Sequence, residues 1–246
     1  MSWRYSAIAA FVLVMSLGGA LRLNGQNPAP PQTAAPARAQ ALFDLTGYWV
    51  SFVTEDWRYR MLTPSKGDYA GVPMSPEGRR IADAWDPAAD EAAGNQCKSY
   101  GAAALMRVPT RLHVTWQDDN TLRMDTDAGT QTRLFHFGPS SAPMAARGNP
   151  SWQGYSAAQW ERPASLKVVT ANMQAGYLRK NGVPYSENAV LTEYFDVSPL
   201  PNGGPLLLVT AVVEDSRYLN LPFIVSSQFK KETDGSKWDP TPCVAK

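Results

Sequence analysis

The stretch from residue 109 to residue 126 reads PTRLHVTWQDDNTLRMDT, and it decides the fold class. Apolar and polar residues alternate on both sides of QDDN, which consists of residues that favour turns. Two alternating runs joined by a short polar turn predict an antiparallel hairpin. Leu112 and Val114 then share one face with Trp116, while His113 lies opposite Asp125 on the other face.

Similar alternating runs continue to residue 231, separated by segments rich in turn residues: TQTRLFHF, PSWQGYSAAQWE, SLKVVTANM, AVLTEYFDV, PLLLVTAVV and PFIVSSQFKK. With LTGYWVSFV (45–53) and WRYRML (57–62) upstream, they amount to about ten strands without βαβ alternation. An antiparallel meander of this length must protect its edges. The sequence therefore predicts an all-β domain that closes into a barrel, with a β-sandwich as the alternative.

A partly helical insertion is predicted at about residues 63–109. Ser75-Pro76-Glu77 and Asp86-Pro87 each place a capping side chain before a proline, which suits the first turn of a helix. The insertion precedes the main run of strands and ends in the segment that contains Cys97.

The Gly-x-Trp of LTGYW (45–49), followed by a meander, resembles the lipocalin-like (calycin) barrels. In that family the tryptophan closes one end of the barrel, and an arginine of the last strand packs over it. Here the last strand ends in SSQFKK, so the resemblance implies that Lys230 or Lys231 takes the arginine's place. PSWQGYSAAQWE, PYSENAVLTEYF and VVEDSRYLNLPF also resemble an uncharacterised group of secreted bacterial proteins, which brings no function with it.

The N-terminus has the order of a secretory signal. Arg4 precedes an apolar run from Ala7 to Met15, and small residues follow up to Ala20. Residues 1–20 are therefore predicted to be a signal peptide that is cleaved. The alternative is that this segment is retained as a membrane anchor. Residues 21–41 are rich in Pro, Ala and Gln and are predicted to be a disordered linker. Residues 42–246 are then a single barrel domain, secreted or periplasmic.

The chain has two cysteines, Cys97 and Cys243, and a secreted chain with two cysteines usually pairs them. A metal site is not indicated, because two cysteines and two histidines occur at no zinc-like spacing. The net charge is +1 without a Lys/Arg cluster, which argues against nucleic-acid binding and against stable membrane insertion after signal cleavage. No motif implies a cofactor.

Alternation also predicts an apolar, aromatic-rich interior, typical of a barrel that holds a small apolar or aromatic molecule, although the same residues would equally fill a solid core. The predicted inward set is Trp116, Leu122, Met124, Leu134, Trp152, Trp160, Leu191, Phe195, Phe223, Val225 and Phe229. The proposed ligand contacts are Trp116, Met124, Trp152, Ser156, Trp160 and Tyr185. The last of these lies in one of two long loops, 138–150 and 175–187, that are predicted to act as lids or surface decoration.

His136, Glu193 and Glu214 share strand faces with apolar residues and are predicted to point inward. A His–Glu pair could transfer protons in an isomerase, cyclase or lyase, so these three are the candidate catalytic residues. The alternatives are a structural pair or a β-bulge that turns one of them outward. An extracellular interaction module using exposed Trp57 and Tyr59 is a third function.

The outer face carries Arg111, Arg123 and Arg133. Its simplest interpretation is a ladder of solvated ion pairs between strands, each contributing less than ~1 kcal/mol. The alternative is an anion site made by the three arginines.

Overall fold

The computed structural model describes residues 35–138, 148–201 and 203–246, and it contains a closed barrel of nine strands. Residues 35–246 belong to one compact unit. The predicted signal peptide and most of the linker, residues 1–34, lie outside the described residues, as does most of the 138–150 loop. The barrel strands are β1 (Gly47–Ser51), β2 (Arg111–Asp118), β3 (Thr121–Thr126), β4 (Gln131–Phe137), β5 (Tyr155–Glu161), β6 (Ser165–Ala171), β9 (Val190–Pro199), β10 (Pro205–Glu214) and β11 (Phe223–Lys231).

The strands follow one another around the wall in the order β1-β11-β10-β9-β6-β5-β4-β3-β2, and β2 pairs with β1 to close the ring. The predicted β2–β3 hairpin is confirmed, with His113 opposite Asp125. All neighbouring barrel strands pair antiparallel except β4 and β5. These two strands are parallel, and Phe135 of β4 lies opposite Ser156 of β5. The barrel prediction is thus confirmed, and the parallel pair is a feature that alternation alone does not predict.

The insertion contains short helices, as predicted. They are α2 (Pro76–Asp83), α3 (Pro87–Ala92) and α4 (Ala102–Leu105), with a 3-10 helix at Gln96–Tyr100, and a further short helix, α1 (Trp57–Arg60), precedes the insertion. Ser75 accepts a hydrogen bond from the Gly78 amide, and Asp86 accepts from the amides of Ala88 and Ala89, so both predicted caps are present. The strand predicted for WRYRML is wrong, because this segment forms α1 instead.

Trp49 occupies the place that Gly-x-Trp predicts. Its ring is fully buried, and its indole nitrogen donates to the Leu45 carbonyl oxygen at 2.9 Å. The Lys231 ammonium lies 4.5 Å from the centre of the Trp49 ring, while Lys230 lies over Phe52 at 3.8 Å. Of the two lysines, Lys231 therefore makes the cation–π contact over the tryptophan.

The interior of the barrel is a packed apolar core, centred on Trp49, Leu112, Val114, Leu122, Met124, Phe135, Leu166, Val168, Phe195, Leu207, Val209 and Phe229. A second cluster continues from it and includes Leu191, Val213 and Phe223 together with residues of the insertion. Most of the predicted inward set is therefore inside, where the described side chains form a contiguous apolar cluster.

Two strands have the opposite face inward from the one predicted. In β4, Arg133 and Phe135 are buried, so Leu134 and His136 face outward. In β10, the buried residues are Leu207, Val209, Ala211 and Val213, and Glu214 is exposed at the strand end. The β4 prediction failed because it assumed that the charged residue faces solvent, whereas Arg133 is inside.

The segment 175–187, predicted to be a long loop, is a second small sheet. Strands β7 (Gly176–Arg179) and β8 (Val183–Tyr185) form a hairpin that contacts α2, α4 and the 3-10 helix. Tyr185 is fully buried there. The insertion and this hairpin contribute to the second apolar cluster, together with residues of β9, β10 and β11.

Both ends of the folded unit are fixed by contacts with the barrel. Residues 35–41, predicted to belong to the linker, contact it: the Ala37 amide donates to Asn120, and Trp160 donates to the Ala37 carbonyl oxygen at 3.1 Å. At the other end, the predicted disulfide between Cys97 and Cys243 is present, with a sequence separation of 146 residues.

Candidate functional site

Three arginines that are far apart in the sequence converge between the insertion and the β7–β8 hairpin. Arg60 ends α1, Arg107 follows α4, and Arg179 ends β7. Their exposed fractions are only 7%, 6% and 4%, respectively. Buried arginines are rare unless they are paired, so the arrangement needs an explanation.

Backbone and aromatic contacts fix the three side chains. Arg60 Nε donates to the Arg107 carbonyl oxygen at 2.9 Å, and Arg179 Nη1 donates to the Ala70 carbonyl oxygen at 2.8 Å. The Arg179 guanidinium lies 4.2 Å from the centre of the Tyr59 ring. Such contacts hold the guanidinium planes in place before a ligand arrives.

The described residues supply little negative charge to this cluster. Asp56 Oδ2 accepts from Arg107 Nη2 at 3.0 Å and lies 4.0 Å from Arg179 Nη2. Asp56 is itself 39% exposed on its side chain, and its backbone is in the left-handed region (φ 52°). Asp56 is therefore the only described carboxylate within 4 Å of the three guanidinium groups, while Glu55 acts on Arg60 and Asp68 acts on Arg179 from farther away. Because Asp68 is already paired with Arg58, positive charge remains in excess around the pocket.

Several guanidinium nitrogens of the cluster have no hydrogen-bond partner within the described part of the chain. They are both terminal nitrogens of Arg60, Nη1 of Arg107 and Nε of Arg179. A buried polar group without a partner normally costs free energy, so such donors indicate that something else accepts their hydrogen bonds.

The pKa of Arg60 is lowered to about 10, first by burial and then by the neighbouring Arg107 cation, while Asp56 and Glu55 act in the opposite direction. Burial is also the main cause of the lowered pKa of Arg107, where Asp56 acts in the opposite direction. For Arg179 the causes of the lowered pKa are burial and then Arg107. Arg60 remains a cation at neutral pH, and an anion placed among the three would favour all of the charged forms.

A small pocket opens onto these side chains. Its cavity volume is about 50 Å³, and besides the three arginines it is lined by Tyr59, Leu62, Ser99, Leu178 and Lys180. Sites for whole drug-sized ligands are several times larger, roughly 300–1,000 Å³. The pocket therefore has the scale of a single charged group.

The predicted ligand contacts are not brought together here. Met124 and Ser156 lie inside the barrel, and Trp116 and Trp160 each pack against Phe137 at its edge, at 5.5 and 5.7 Å between ring centres. Trp152 lies in the turn before β5, where its carbonyl oxygen accepts from the Ala102 amide. Tyr185 belongs to the second cluster.

The candidate catalytic residues are also separated. Glu193 is inside, as predicted, but both of its oxygens are bound by Arg133, at 3.0 and 2.6 Å. His136 lies on the outer face of β4, where its ring stacks on Tyr155 at 4.8 Å. The structure thus does not form the predicted His–Glu pair, and Glu214 lies at the exposed end of β10. A catalytic role for any of the three stays a prediction.

The predicted outer arginine site is wrong in one member. Arg123 is paired with Asp125 at 2.7 Å, and Arg111 with Glu232 at 3.0 Å, whereas Arg133 lies inside the barrel. The two outer arginines therefore form ion pairs, as the simpler interpretation expected, but Arg123 pairs within its own strand β3 and Arg111 pairs with a residue just after β11, so they do not form a ladder between strands.

Sequence reasoning missed the arginine pocket because its members come from segments that alternation cannot relate to one another. Arg60 lies in WRYRML, which was assigned to a strand, and Arg179 lies in the segment assigned to a loop. The only local signal is that Arg60 and Arg107 are surrounded by apolar or small residues.

Comparisons with protein-family models, curated proteins and solved structures found no match to this chain. Over residues 35–138, 148–201 and 203–246, no helix is long and apolar enough to cross a membrane. Function is therefore argued from the geometry of the site.

Proposed function

We propose that this protein is an exported barrel that binds a small molecule through an anionic group, a carboxylate or a phosphate, held by Arg60, Arg107 and Arg179. The observation that carries the proposal is the set of four guanidinium nitrogens, on three buried arginines, that have no hydrogen-bond partner among the described residues. Guanidinium groups match the oxygens of carboxylates and phosphates, often with two parallel hydrogen bonds. An oxyanion in the pocket would satisfy these donors and balance the excess charge.

The position of the proposed site differs from the one expected from sequence. The pocket lies among α1, the residues after α4 and the β7–β8 hairpin, and none of its lining residues belongs to the apolar set of the barrel interior proposed from sequence. The proposed ligand therefore binds beside the barrel, in a site built by the insertion. The disulfide and the signal-like N-terminus support the proposed export.

The first test is a titration of the full chain with inorganic phosphate and with acetate at constant ionic strength, followed by calorimetry and thermal unfolding. Because each charge-assisted hydrogen bond contributes about 1.5–3 kcal/mol, we expect Arg60→Met to weaken binding by roughly 10- to 100-fold. We also expect the unfolding free energy without ligand to fall by no more than about 1–3 kcal/mol, because Arg60 forms no ion pair among the described residues and the change removes only its hydrogen bond to the Arg107 carbonyl oxygen.

Arg217→Gln is the matched control for this titration. Arg217 is 45% exposed and pairs with Glu77 and Glu187, so its loss should leave anion binding unchanged. Equal anion binding by wild type and Arg60→Met, or no binding by the wild type above that of chloride, would contradict the proposal.

A second variant changes the countercharge instead of the arginines. Asp56→Asn removes the carboxylate that contacts Arg107 and Arg179. We expect the unliganded protein to lose about 1–2 kcal/mol of stability and phosphate affinity to rise by roughly 10-fold, since the bound anion then has no competing carboxylate. Thermal unfolding with and without phosphate measures both. A loss of phosphate affinity in this variant would show that Asp56 helps binding, contrary to the proposed role.

A further inference from the structure

The pocket opens beside an unusual group of exposed apolar side chains. Trp57, Met61 and Leu62 are 63%, 57% and 65% exposed, and all three lie in α1 or in the two residues after it. They make up three of the seven large apolar side chains that are exposed within the described part of the chain. Exposed apolar residues that cluster in this way are typical of binding surfaces.

The cluster and the pocket are continuous. Leu62 lines the pocket together with Arg60, and Trp57 and Arg60 are the first and last residues of the same helix. The pocket holds about 50 Å³, so it has room for a charged group and not for an apolar body. The remainder of any ligand larger than a simple oxyanion must lie outside the pocket, and Leu62 is the lining residue that links the pocket to the exposed apolar group.

From this juxtaposition we infer that the ligand is a monomeric amphiphile: an anionic head group binds the three arginines, and an apolar or aromatic tail lies on Trp57, Met61 and Leu62. The inference rests on the proposed function of the pocket and adds the class of the ligand. The buried positive charge and the adjoining apolar side chains are complementary to the two parts of such a molecule.

The charges around α1 favour a single molecule over a lipid bilayer. Glu55 precedes the helix and accepts from Ser226 and Gln228, and Asp68 is paired with Arg58. These carboxylates lie beside the exposed apolar residues, whereas a surface that binds anionic bilayers carries a cluster of unpaired Lys and Arg. The excess positive charge is confined to the buried pocket, where one head group can reach it.

The test is a calorimetric titration of the full chain with methyl, butyl and octyl phosphate, each below its micellar concentration. We expect affinity to rise about two- to threefold for each methylene that contacts the apolar side chains, so that octyl phosphate binds at least 30-fold more tightly than methyl phosphate. In Trp57→Ser/Met61→Ser, whose two positions do not line the pocket, methyl phosphate should bind as in the wild type, and the gain with chain length should fall below fivefold.

Val244→Ser is the control for the loss of an exposed apolar side chain, since Val244 is 46% exposed and does not line the pocket. It should keep the full dependence on chain length. Equal affinity for the three phosphates would contradict an amphiphilic ligand and would remain consistent with the anion site. Absence of binding by all three would overturn both. Binding to anionic phospholipid vesicles without binding to octyl phosphate would overturn the monomeric ligand.

Discussion

Replacing Arg133 by Met, or Glu193 by Gln, is expected to lower the free energy of unfolding by about 3–5 kcal/mol, because each change leaves the partner's polar or charged group buried without its counterpart. The side chains of this pair are 0% and 1% exposed, and they are joined by two hydrogen bonds. Arg133 also donates to Thr170 at 3.1 Å and lies 5.0 Å from the Phe135 ring centre. Denaturation in guanidinium chloride measures the loss.

The double variant Arg133→Met/Glu193→Leu separates two free energies: the net contribution of the ion pair to stability, and the destabilisation that follows when one of its charges is left buried without a partner. Because both charges are removed together, we expect its stability to lie within about 1 kcal/mol of the wild type or above it. Arg123→Met, at a pair that is partly exposed, should cost less than about 1 kcal/mol. Single Arg133 and Glu193 variants that also cost less than this would refute the buried-pair argument.

Loss of the disulfide is the second large effect we expect. Cys243→Ser should lower the free energy of unfolding by about 2–5 kcal/mol, because the bridge closes a long loop and so lowers the conformational entropy of the unfolded chain. The sequence separation of 146 residues places the effect toward the upper part of that range. Thermal and chemical unfolding under non-reducing conditions measure it.

Val244→Ser, at the neighbouring position, is the control for a change in the C-terminal segment. Chain purified from an oxidising compartment should contain no alkylatable thiol. Two reactive thiols in that material, or a Cys243→Ser variant as stable as the wild type, would contradict both the stabilising bridge and the proposed export.

Much of the fold could be predicted from local pattern. Alternation in RLHVTWQD and TLRMDT identified the first hairpin and its inner face, because both strands place their charged residues outward. Ser75 and Asp86 marked the starts of α2 and α3, since caps act within one helical turn. The bridge between Cys97 and Cys243 followed from the count of cysteines alone.

The predictions missed the direction of Arg133 and the arginine pocket for the same physical reason. In both cases, residues that are far away in the sequence determine where a charged side chain lies. Arg133 faces inward because Glu193, sixty residues later, neutralises it, and counting within β4 cannot detect that partner. The same holds for the arginine pocket, whose members belong to α1, the segment after α4 and β7. Polar residues inside a fold are specified by pairs, whereas period-two counting treats each strand separately.

The pairing of β1 with β11 has a consequence for biosynthesis. The first strand of the barrel bonds to β2 on one side and to the last strand on the other, with Trp49 opposite Lys231. The ring therefore cannot close until nearly the whole chain has been synthesised, and closure must bring together segments of very large sequence separation. A nascent chain therefore keeps β1 without its β11 partner until the C-terminal strand is available.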